Sequence, residues 1–179
     1  HILISSNTSV SPGANSGENT AWIIGGNLTV NAGSGFFPDF AAMDMNVPIR
    51  VKGNISLGGG LNLSDNPGGD IIVEGNFDIL ASATLNPKQR TVYFVKNGTQ
   101  NLTKATAVTL HYVVIGEPSA NTTLLLNGMD LNITAPAGGN GITFNGVNDI
   151  IDLNGRTLTF GTAGITSSIS GGGSFKGST

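Results

Sequence analysis

The sequence contains no cysteine, few charged residues and no long run of hydrophobic residues. Without cysteine the chain has no disulfide bonds, so packing and hydrogen bonding must stabilise its fold. Charged residues make up 11% of the 179 residues, against about 25% in ordinary globular proteins. The net charge is −3 and no basic cluster is present, which argues against nucleic acid as a partner. No apolar segment approaches the roughly 20 residues of a transmembrane helix, so no membrane span is predicted.

Helix-forming segments are also scarce. The 27 glycines and 7 prolines interrupt the chain about every five residues, which is too often for helices of ordinary length. Only Ala41 to Asn46 offers a candidate helical turn, and Pro48 would end it. With 39% hydrophobic residues and little charge, the composition is that of a folded protein rather than a disordered one. The chain is therefore predicted to be all-β.

Three short phrases recur in the first half of the chain, at Gly26–Val30, Gly53–Leu57 and Gly75–Ile79. Each begins with Gly-Asn and continues with alternating apolar and polar residues, the pattern of a β-strand that buries one face. Their asparagines are 27 and then 22 residues apart, a spacing typical of stacked coils. A repeat of this size buries its apolar face only against its neighbours. The sequence thus predicts a parallel β-solenoid (β-helix) with coils of roughly 20–27 residues.

A β-sandwich or jelly roll is the alternative fold. Five Asn-Gly pairs are strong signals of hairpins and favour antiparallel pairing. Against this, about sixteen short strands are predicted, more than the seven to nine of an immunoglobulin-like sandwich. The predicted strands lie near Ile2–Ile4, Trp22–Ile24, Leu28–Val30, Ile49–Val51, Ile55–Leu57, Leu61–Leu63, Ile71–Val73, Phe77–Leu80, Thr91–Val95, Val108–Ile115, Thr123–Leu126, Leu131–Thr134, Ile142–Phe144, Ile150–Leu153, Thr157–Phe160 and Ile165–Ile169.

The chain divides into three predicted regions. Residues 1–86 form an N-terminal β-repeat region, and residues 117–179 form a C-terminal one that we expect to continue in a longer parent protein. Residues 87–116 interrupt the pattern, because Thr91–Val95 and Leu110–Ile115 are continuous apolar runs, typical of strands that are buried on both faces or lie in the middle of a packed sheet. This middle segment is either a thicker coil of one solenoid or the seam between two sub-units.

Several phrases in the second half resemble a known kind of sequence. They are Thr91–Phe94, Asn97–Thr103, His111–Ile115, Asp152–Phe160 and Gly173–Thr179. These phrases are similar to the strand-and-turn units of very large β-strand-repeat surface proteins of Bacteroidetes, which include gliding and adhesin-type proteins exported by the type IX secretion system. The third phrase departs from them at one step, since Tyr112 is followed by Val113 where those proteins usually have tyrosine followed by asparagine. The resemblance implies an extracellular, repetitive cell-surface protein or filament, and it carries over no catalytic residue.

The acidic residues offer few candidates for chemistry. Asp65 and Asp70 flank a flexible turn and supply the hard oxygen ligands that calcium prefers, although their spacing matches no established calcium loop. Asp149 and Asp152 are the nearest pair for a glycosidase or lyase, but residues three apart in a strand and turn point in different directions. The plain interpretation of all four is a role in turns. His111 stands alone in an apolar run, where we expect a packed or surface side chain rather than a catalytic base. No catalytic residue or cofactor is therefore predicted, calcium being the one candidate ion.

Glycans are the other chemical prediction. Eight Asn-x-Ser/Thr sequons are candidate glycosylation sites in a secreted chain, at Asn7, Asn27, Asn54, Asn62, Asn97, Asn101, Asn121 and Asn132. An Asn- and Thr-rich β-protein also produces such triplets by chance. Strands such as Leu28–Val30, Ile55–Leu57 and Leu158–Phe160 place Thr or Ser outward. Such a face can bind ice or crystalline polysaccharide, or it reflects only β-propensity and solvation of the outer face.

These observations predict a non-catalytic structural segment of an extracellular filament, stalk or adhesin at the cell surface. Its expected partners are copies of itself or adjacent repeats of the same protein. One alternative is a self-assembling pilin-like subunit that donates the N-terminal strand His1–Ser5 to a neighbour. A second alternative is a β-helical polysaccharide lyase or hydrolase.

Overall fold

The chain is all-β in the computed structural model, which describes residues 1–12, 21–39 and 44–177. No helix occurs in these residues, and the helical turn predicted at Ala41–Asn46 lies partly outside them. The strands are β1 (Ile2–Ile4), β2 (Ser9–Val10), β3 (Trp22–Ile24), β4 (Leu28–Val30), β5 (Gly35–Phe36), β6 (Ile49–Val51), β7 (Ile55–Leu57), β8 (Gly60–Asn62), β9 (Ile71–Val73), β10 (Phe77–Ile79), β11 (Thr84–Asn86), β12 (Thr91–Phe94), β13 (Gly98–Lys104), β14 (Val108–Leu110), β15 (Tyr112–Ile115), β16 (Thr122–Asn127), β17 (Leu131–Ile133), β18 (Gly139–Phe144), β19 (Ile150–Asp152), β20 (Leu158–Phe160), β21 (Ser167–Ser170) and β22 (Ser174–Lys176).

The strands form the predicted β-solenoid, which makes about seven turns of about 25 residues each. Each full coil contributes one strand to each of three faces. The first face is an eight-stranded sheet in the order β1-β4-β7-β10-β13-β16-β19-β22. The second face is a seven-stranded sheet in the order β3-β6-β9-β12-β15-β18-β21. The third face consists of two shorter sheets, β2-β5-β8-β11 and β14-β17-β20.

The core is built from rows of side chains that follow the solenoid axis. In the eight-stranded sheet Leu28 is in register with Ile55, and Ile55 with Phe77, and all three are fully buried. Residues that alternate with them face outward and are partly exposed, as the period-two pattern of the sequence predicted. Each fully buried large side chain contributes roughly 1.5–3 kcal/mol to the free energy of unfolding, so the continuous rows are the main source of stability.

Every pairing between the named strands is parallel, and the antiparallel sandwich is therefore wrong. Four of the five Asn-Gly pairs that favoured hairpins lie instead at or near corners between strands of one coil, and Asn140-Gly141 lies within β18. Gly98, Gly128 and Gly155 adopt φ values of 96°, 84° and 73°, which glycine tolerates because it has no Cβ atom. The same left-handed backbone that reverses a hairpin can also turn the chain from one face of a solenoid to the next.

The third face changes sheet in the middle of the chain. Its four-stranded sheet ends with β11, and its three-stranded sheet begins with β14, and these two strands are not paired with each other. The other two sheets cross residues 87–116 without interruption, because β13 pairs with β10 and β16, and β12 pairs with β9 and β15. Residues 87–116 thus form an ordinary coil on two faces and a break on the third.

Candidate functional site

A ladder of side-chain acceptors runs along the corner that precedes the eight-stranded sheet. The Oδ1 atom of Asn27 accepts a hydrogen bond from the backbone N–H of Asn54 at 2.9 Å, and Asn54 does the same for Asn76 at 2.8 Å. Asn76 then accepts from the backbone N–H of Asn101 at 3.0 Å. In the first coil the Nδ1 atom of His1 takes the place of the amide oxygen and accepts from the N–H of Asn27 at 3.0 Å. Side chains therefore join these coils along the axis, in addition to the backbone ladders.

Three of the eight predicted glycosylation sites belong to this ladder. Asn27 and Asn54 use their amide oxygens to bind the next coil, and Asn101 receives such a bond at its backbone amide. The side chain of Asn54 lies on an exposed corner, whereas Asn27 and Asn101 are half-buried. Their first role in the folded chain is thus structural, and glycosylation at these positions stays a prediction.

The other five sequons lie at scattered positions on the surface. Asn7 is exposed in a turn with φ 58°, and Asn132 is half-buried on the outer side of β17. The Nδ2 atom of Asn62 donates to a carboxylate oxygen of Asp39 at 3.3 Å. Asn97 and Asn121 are exposed, and the Oδ1 atom of Asn97 accepts from the backbone N–H of Asn121 at 3.4 Å. No single face collects these five side chains.

The calcium candidates Asp65 and Asp70 have different partners. The carboxylate of Asp65 accepts from the Nζ atom of Lys88 at 3.1 Å, and Lys88 also lies 3.2 Å from the carboxylate of Asp39. The hydrogen bond from Lys88 to Asp65 raises the pKa of the ammonium group. The Oδ1 atom of Asp70 accepts a hydrogen bond from the backbone N–H of Thr91 at 2.8 Å, and burial raises the pKa of this carboxyl group. Among the described residues no group of three or more acidic or histidine side chains could hold a metal ion.

Asp149 and Asp152, the candidate catalytic pair, are also occupied separately. Asp149 is fully buried, and its two oxygens accept from the backbone amides of Thr122 at 2.9 Å and Gly146 at 2.7 Å. Asp152 pairs with Lys176 at 2.9 Å, and this partner lowers the pKa of the carboxyl group. The first carboxylate therefore joins two coils, and the second forms a surface ion pair.

Gln100 is a buried polar residue that the sequence analysis missed. Its Nε2 atom donates to the carbonyl oxygen of Val73 at 2.9 Å and also to that of Gly75. Its Oε1 atom accepts from the backbone N–H of Lys96 at 3.2 Å. The residue is in register with the buried Leu124, so the side chain occupies an inward position and satisfies three backbone groups at the corner. Its alternation with the apolar residue at position 102 was the signal of an inward side chain.

An ion-pair network crosses the outer surface of the seven-stranded sheet. Arg50 on β6 contacts the carboxylate of Glu74 in the next coil and that of Glu117, which follows β15, at 2.8 Å. The hydrogen bond to Glu117 is the largest of the effects that raise the pKa of the guanidinium group. Sequence reasoning could not pair these residues, because they are up to 67 positions apart and meet only through the coil register.

The outward hydroxyl rows are shorter than the sequence suggested. On the eight-stranded sheet Thr29 is in register with Ser56, but Asp78 occupies the next position of the same row. On the three-stranded sheet Thr109 and Thr159 are separated by Asn132. The outer faces therefore present mixed polar rows rather than a uniform array of hydroxyl groups.

A groove of about 410 Å³ opens beside the last described coil. It is lined by Phe160, Gly161, Thr162, Ala163, Ile165 and Ser167, none of which carries a titratable side chain. Among them Phe160 is in register with the buried Ile133 and continues that apolar row, whereas Thr162 and Ser167 are polar. The groove thus borders the end of one core row, and its lining supplies no group for acid–base chemistry.

Comparison of the chain with protein-family models, curated proteins and solved structures gives no match. The part of the chain that the structure describes contains no helix long and apolar enough to cross a membrane.

Proposed function

We propose that this chain is a non-catalytic structural segment of an extracellular filament, stalk or adhesin at a cell surface. The observation that supports this role best is the continuous ladder of inter-coil hydrogen bonds from His1 to Asn101. Such bonds lie along the solenoid axis, and they add to the backbone bonds that hold each coil on the next. A rod that carries load along its length needs this kind of axial continuity.

The polar groups of the structure support the same proposal. Asp149, Gln100 and Thr122, three fully buried polar side chains, all bind backbone groups of a neighbouring coil. In an enzyme of this fold we would expect carboxylates to converge on an open face, because hydrolysis of a glycosidic bond needs two of them. Here these three side chains bind the backbone and hold adjacent coils together.

The resemblance of the second half to Bacteroidetes surface repeats supports a location outside the cell for the proposed segment. Cell-surface position, a surface glycan as a second partner and glycosylation of exposed sequons all belong to this proposal. The principal partners would be copies of the chain or adjacent repeats of the same protein. Coil-on-coil contact is the interaction that this fold already makes throughout its length.

Immunoelectron microscopy of the cells that make the protein tests its location. Antibodies raised against the purified chain should label intact, unpermeabilised cells, and the label should lie on fibrous or stalk-like projections. Pre-immune serum is the control. Label that appears only after permeabilisation would overturn the proposal.

An assay for reducing ends tests the non-catalytic part of the proposal. Incubation of the chain with a panel of surface polysaccharides should release none above the level of a heat-denatured sample. The matched variants are Asp152→Asn and Asp65→Asn, which change exposed or partly exposed carboxylates in different coils. Release by the wild-type chain that only Asp152→Asn abolishes would identify an enzyme and contradict the proposal.

A further inference from the structure

The two sheets of the third face are joined by a single side-chain hydrogen bond. In the part of the chain that the structure describes, β11 and β14 make no ladder with each other. Across this break the backbone N–H of Gln89 donates to the Nδ1 atom of His111 at 2.7 Å. Gln89 lies in the corner after β11, and His111 lies in the one-residue corner between β14 and β15. The imidazole therefore spans the place where the third face is otherwise unpaired.

The bond requires a neutral imidazole ring. The Nδ1 atom accepts a hydrogen bond only in the neutral tautomer that carries its proton on Nε2. In the protonated ring both nitrogens carry a proton and both are donors. Protonation of His111 would thus place an N–H group against the N–H group of Gln89. The corner that carries Gln89 has two hydrogen bonds of its own, from the N–H of Arg90 to the carbonyl oxygen of Pro87 at 2.7 Å and from the N–H of Lys88 to the Oδ1 atom of Asn86 at 3.3 Å. Within it Lys88 and Gln89 adopt left-handed φ values of 50° and 64°. Such values are costly for side-chain-bearing residues unless surrounding contacts hold them.

The charged groups near the ring do not favour its protonation. The corner beneath it carries Lys88 and Arg90, one on each side of the residue that donates the hydrogen bond. The ammonium group of Lys88 is paired with Asp65 and Asp39, and the guanidinium group of Arg90 donates to a backbone carbonyl oxygen at 2.9 Å. The corner above, residues 134–138, contains no titratable residue.

The contacts above the ring come from the backbone. The carbonyl oxygen of His111 accepts from the N–H of Ala135 at 2.9 Å, and the hydroxyl oxygen of Tyr112 accepts from the N–H of Ala137 at 2.9 Å. These bonds do not involve the imidazole nitrogens, so they persist in either protonation state. Burial lowers the pKa of His111, in agreement with a ring that is held neutral.

We propose that His111 is an acid-sensitive tie across the break in the third face. Its protonation releases the corner of Gln89 and loosens the solenoid there, while the two continuous sheets remain paired. The break thus becomes a joint whose stiffness depends on pH. This inference does not depend on the function proposed above, because it concerns the coil contact itself.

The first coil shows which substitution would keep the hydrogen bond while it removes the titratable ring. In the first coil His1 Nδ1 accepts from the backbone of Asn27, and Asn27 Oδ1 makes the same bond to the next coil. The Oδ1 atom of asparagine stands at the same number of bonds from the backbone as the Nδ1 atom of histidine. His111→Asn should therefore keep the tie at every pH, and His1→Asn is the matched control that removes the other histidine.

Amide hydrogen exchange of the full chain tests the proposal between pH 7.5 and 5.0. Rates are divided by the intrinsic rate at each pH, so that only structural protection is compared. In the wild-type chain and in His1→Asn, protection at Gln89 and its neighbours should fall roughly fivefold in acid, as for the loss of one net hydrogen bond. In His111→Asn the protection should stay constant. NMR titration of the wild-type chain should show the amide of Gln89 shifting with the same midpoint as the His111 ring.

Three results would overturn the proposal. One is constant protection of Gln89 in the wild-type chain across the pH range. Another is an acid-induced loss that persists in His111→Asn or that spreads equally over all coils. The third is a Gln89 amide whose chemical shift does not follow the His111 ring, and this result decides the matter even if the variant fails to fold.

Discussion

The Oδ1 atom of Asn54 accepts a hydrogen bond at 2.8 Å from the backbone N–H of Asn76, one coil further along the solenoid. Each of the two residues immediately precedes a strand of the eight-stranded sheet. Ile55 and Phe77, the first residues of those strands, are buried and in register with each other. A single short side chain thus adds an inter-coil hydrogen bond beside the backbone bond from the N–H of Ile55 to the carbonyl oxygen of Asn76 at 2.8 Å.

Loss of one member of the ladder should weaken the chain measurably. Asn54→Ala should lower the free energy of unfolding by about 1 kcal/mol, because it removes one hydrogen bond at an exposed corner. Asn54→Asp keeps an acceptor and should lose less. Asn31→Ala is the control, since the side chain of Asn31 is exposed and makes no hydrogen bond among the described residues. Urea denaturation compares the three variants, and equal losses for Asn54→Ala and Asn31→Ala would show that the ladder contributes nothing.

The corner behind the ladder depends on close contact between glycine backbones. A Cβ atom on Gly53 would lie 2.6 Å from the carbonyl carbon of Gly26 and 2.3 Å from the Oδ1 atom of Asn27. Gly53→Ala should therefore lower the free energy of unfolding by about 2 kcal/mol or more, because the coils must separate to admit the methyl group. At Gly25, in the same corner of the coil below, a Cβ atom would meet nothing within 4 Å.

Gly25→Ala is thus the matched control for that prediction. It should leave the stability unchanged or raise it slightly, since alanine restricts the unfolded chain more than glycine does. Thermal denaturation followed by circular dichroism measures both variants. A similar melting temperature for Gly53→Ala and Gly25→Ala would contradict the steric argument.

Much of this architecture could be predicted from the sequence, because the coils that bury one face of each strand show a clear period of two. The recurrent Gly-Asn phrases at Asn27, Asn54 and Asn76 begin equivalent strands, as their spacing indicated. The parallel solenoid followed from that spacing and from the number of short strands. The choice between parallel and antiparallel pairing was harder, since left-handed glycines serve both kinds of turn.

The missed strands show where the pattern fails. β2 and β5 are two residues long, and β5 contains a glycine, so neither shows an alternation that a sequence pattern could reveal. β13 was missed because its inward row begins with the polar Gln100. The apolar run Val108–Ile115 was predicted as one strand, but it turns a corner at His111. The signal was present, since the buried residues Leu110 and Val113 are three apart and therefore break the period of two.

The ion pairs and inter-coil bonds could not be predicted, because they depend on coil length. Along the eight-stranded sheet the coil length varies between 22 residues, from Ile55 to Phe77, and 27 residues, from Leu28 to Ile55. An error of one residue in the register moves every outward side chain to the inside. The pairing of Asp149 with the backbone of Thr122 needs that register to be known.

The polar side chain of Gln100 should stabilise the fold more than an apolar side chain in its place. Gln100→Leu extends the buried row that continues with Leu124, but it leaves the carbonyl oxygen of Gly75 and the backbone N–H of Lys96 without their partner. The carbonyl oxygen of Val73 keeps the hydrogen bond from the N–H of Val95 at 3.1 Å. Each unpaired buried group costs about 1–3 kcal/mol, which outweighs the roughly 1.5–3 kcal/mol from burying leucine. We expect a net loss of about 2 kcal/mol in urea denaturation. A variant as stable as the wild-type chain would show that water satisfies the corner.

The two aspartates that suggested catalysis should differ in their effect on stability. Asp149→Asn replaces one of two accepting oxygens with an N–H₂ group that faces a backbone N–H, and we expect a loss of about 2 kcal/mol. Asp152→Asn breaks a surface pair with Lys176, whose side chain is 67% exposed, so its effect should stay within about 0.5 kcal/mol. Equal losses in urea denaturation would contradict this assignment of roles.

The pKa of His111 gives the sign of a pH dependence that this residue alone should cause. Burial lowers its pKa in the folded chain, whereas the unfolded chain has the ordinary value of about 6.5. As the pH falls below about 6.5, the unfolded chain takes up a proton that the folded chain refuses, so the free energy of unfolding decreases until the folded-state pKa is reached. All other titratable groups are the same in the wild-type chain and in His111→Asn. The difference in urea midpoint between these two proteins therefore isolates the effect of His111. The difference should grow in favour of the variant between pH 7.5 and pH 5.0. A constant difference across that range would mean that the ring titrates equally in both states and that its bond to Gln89 does not hold it neutral.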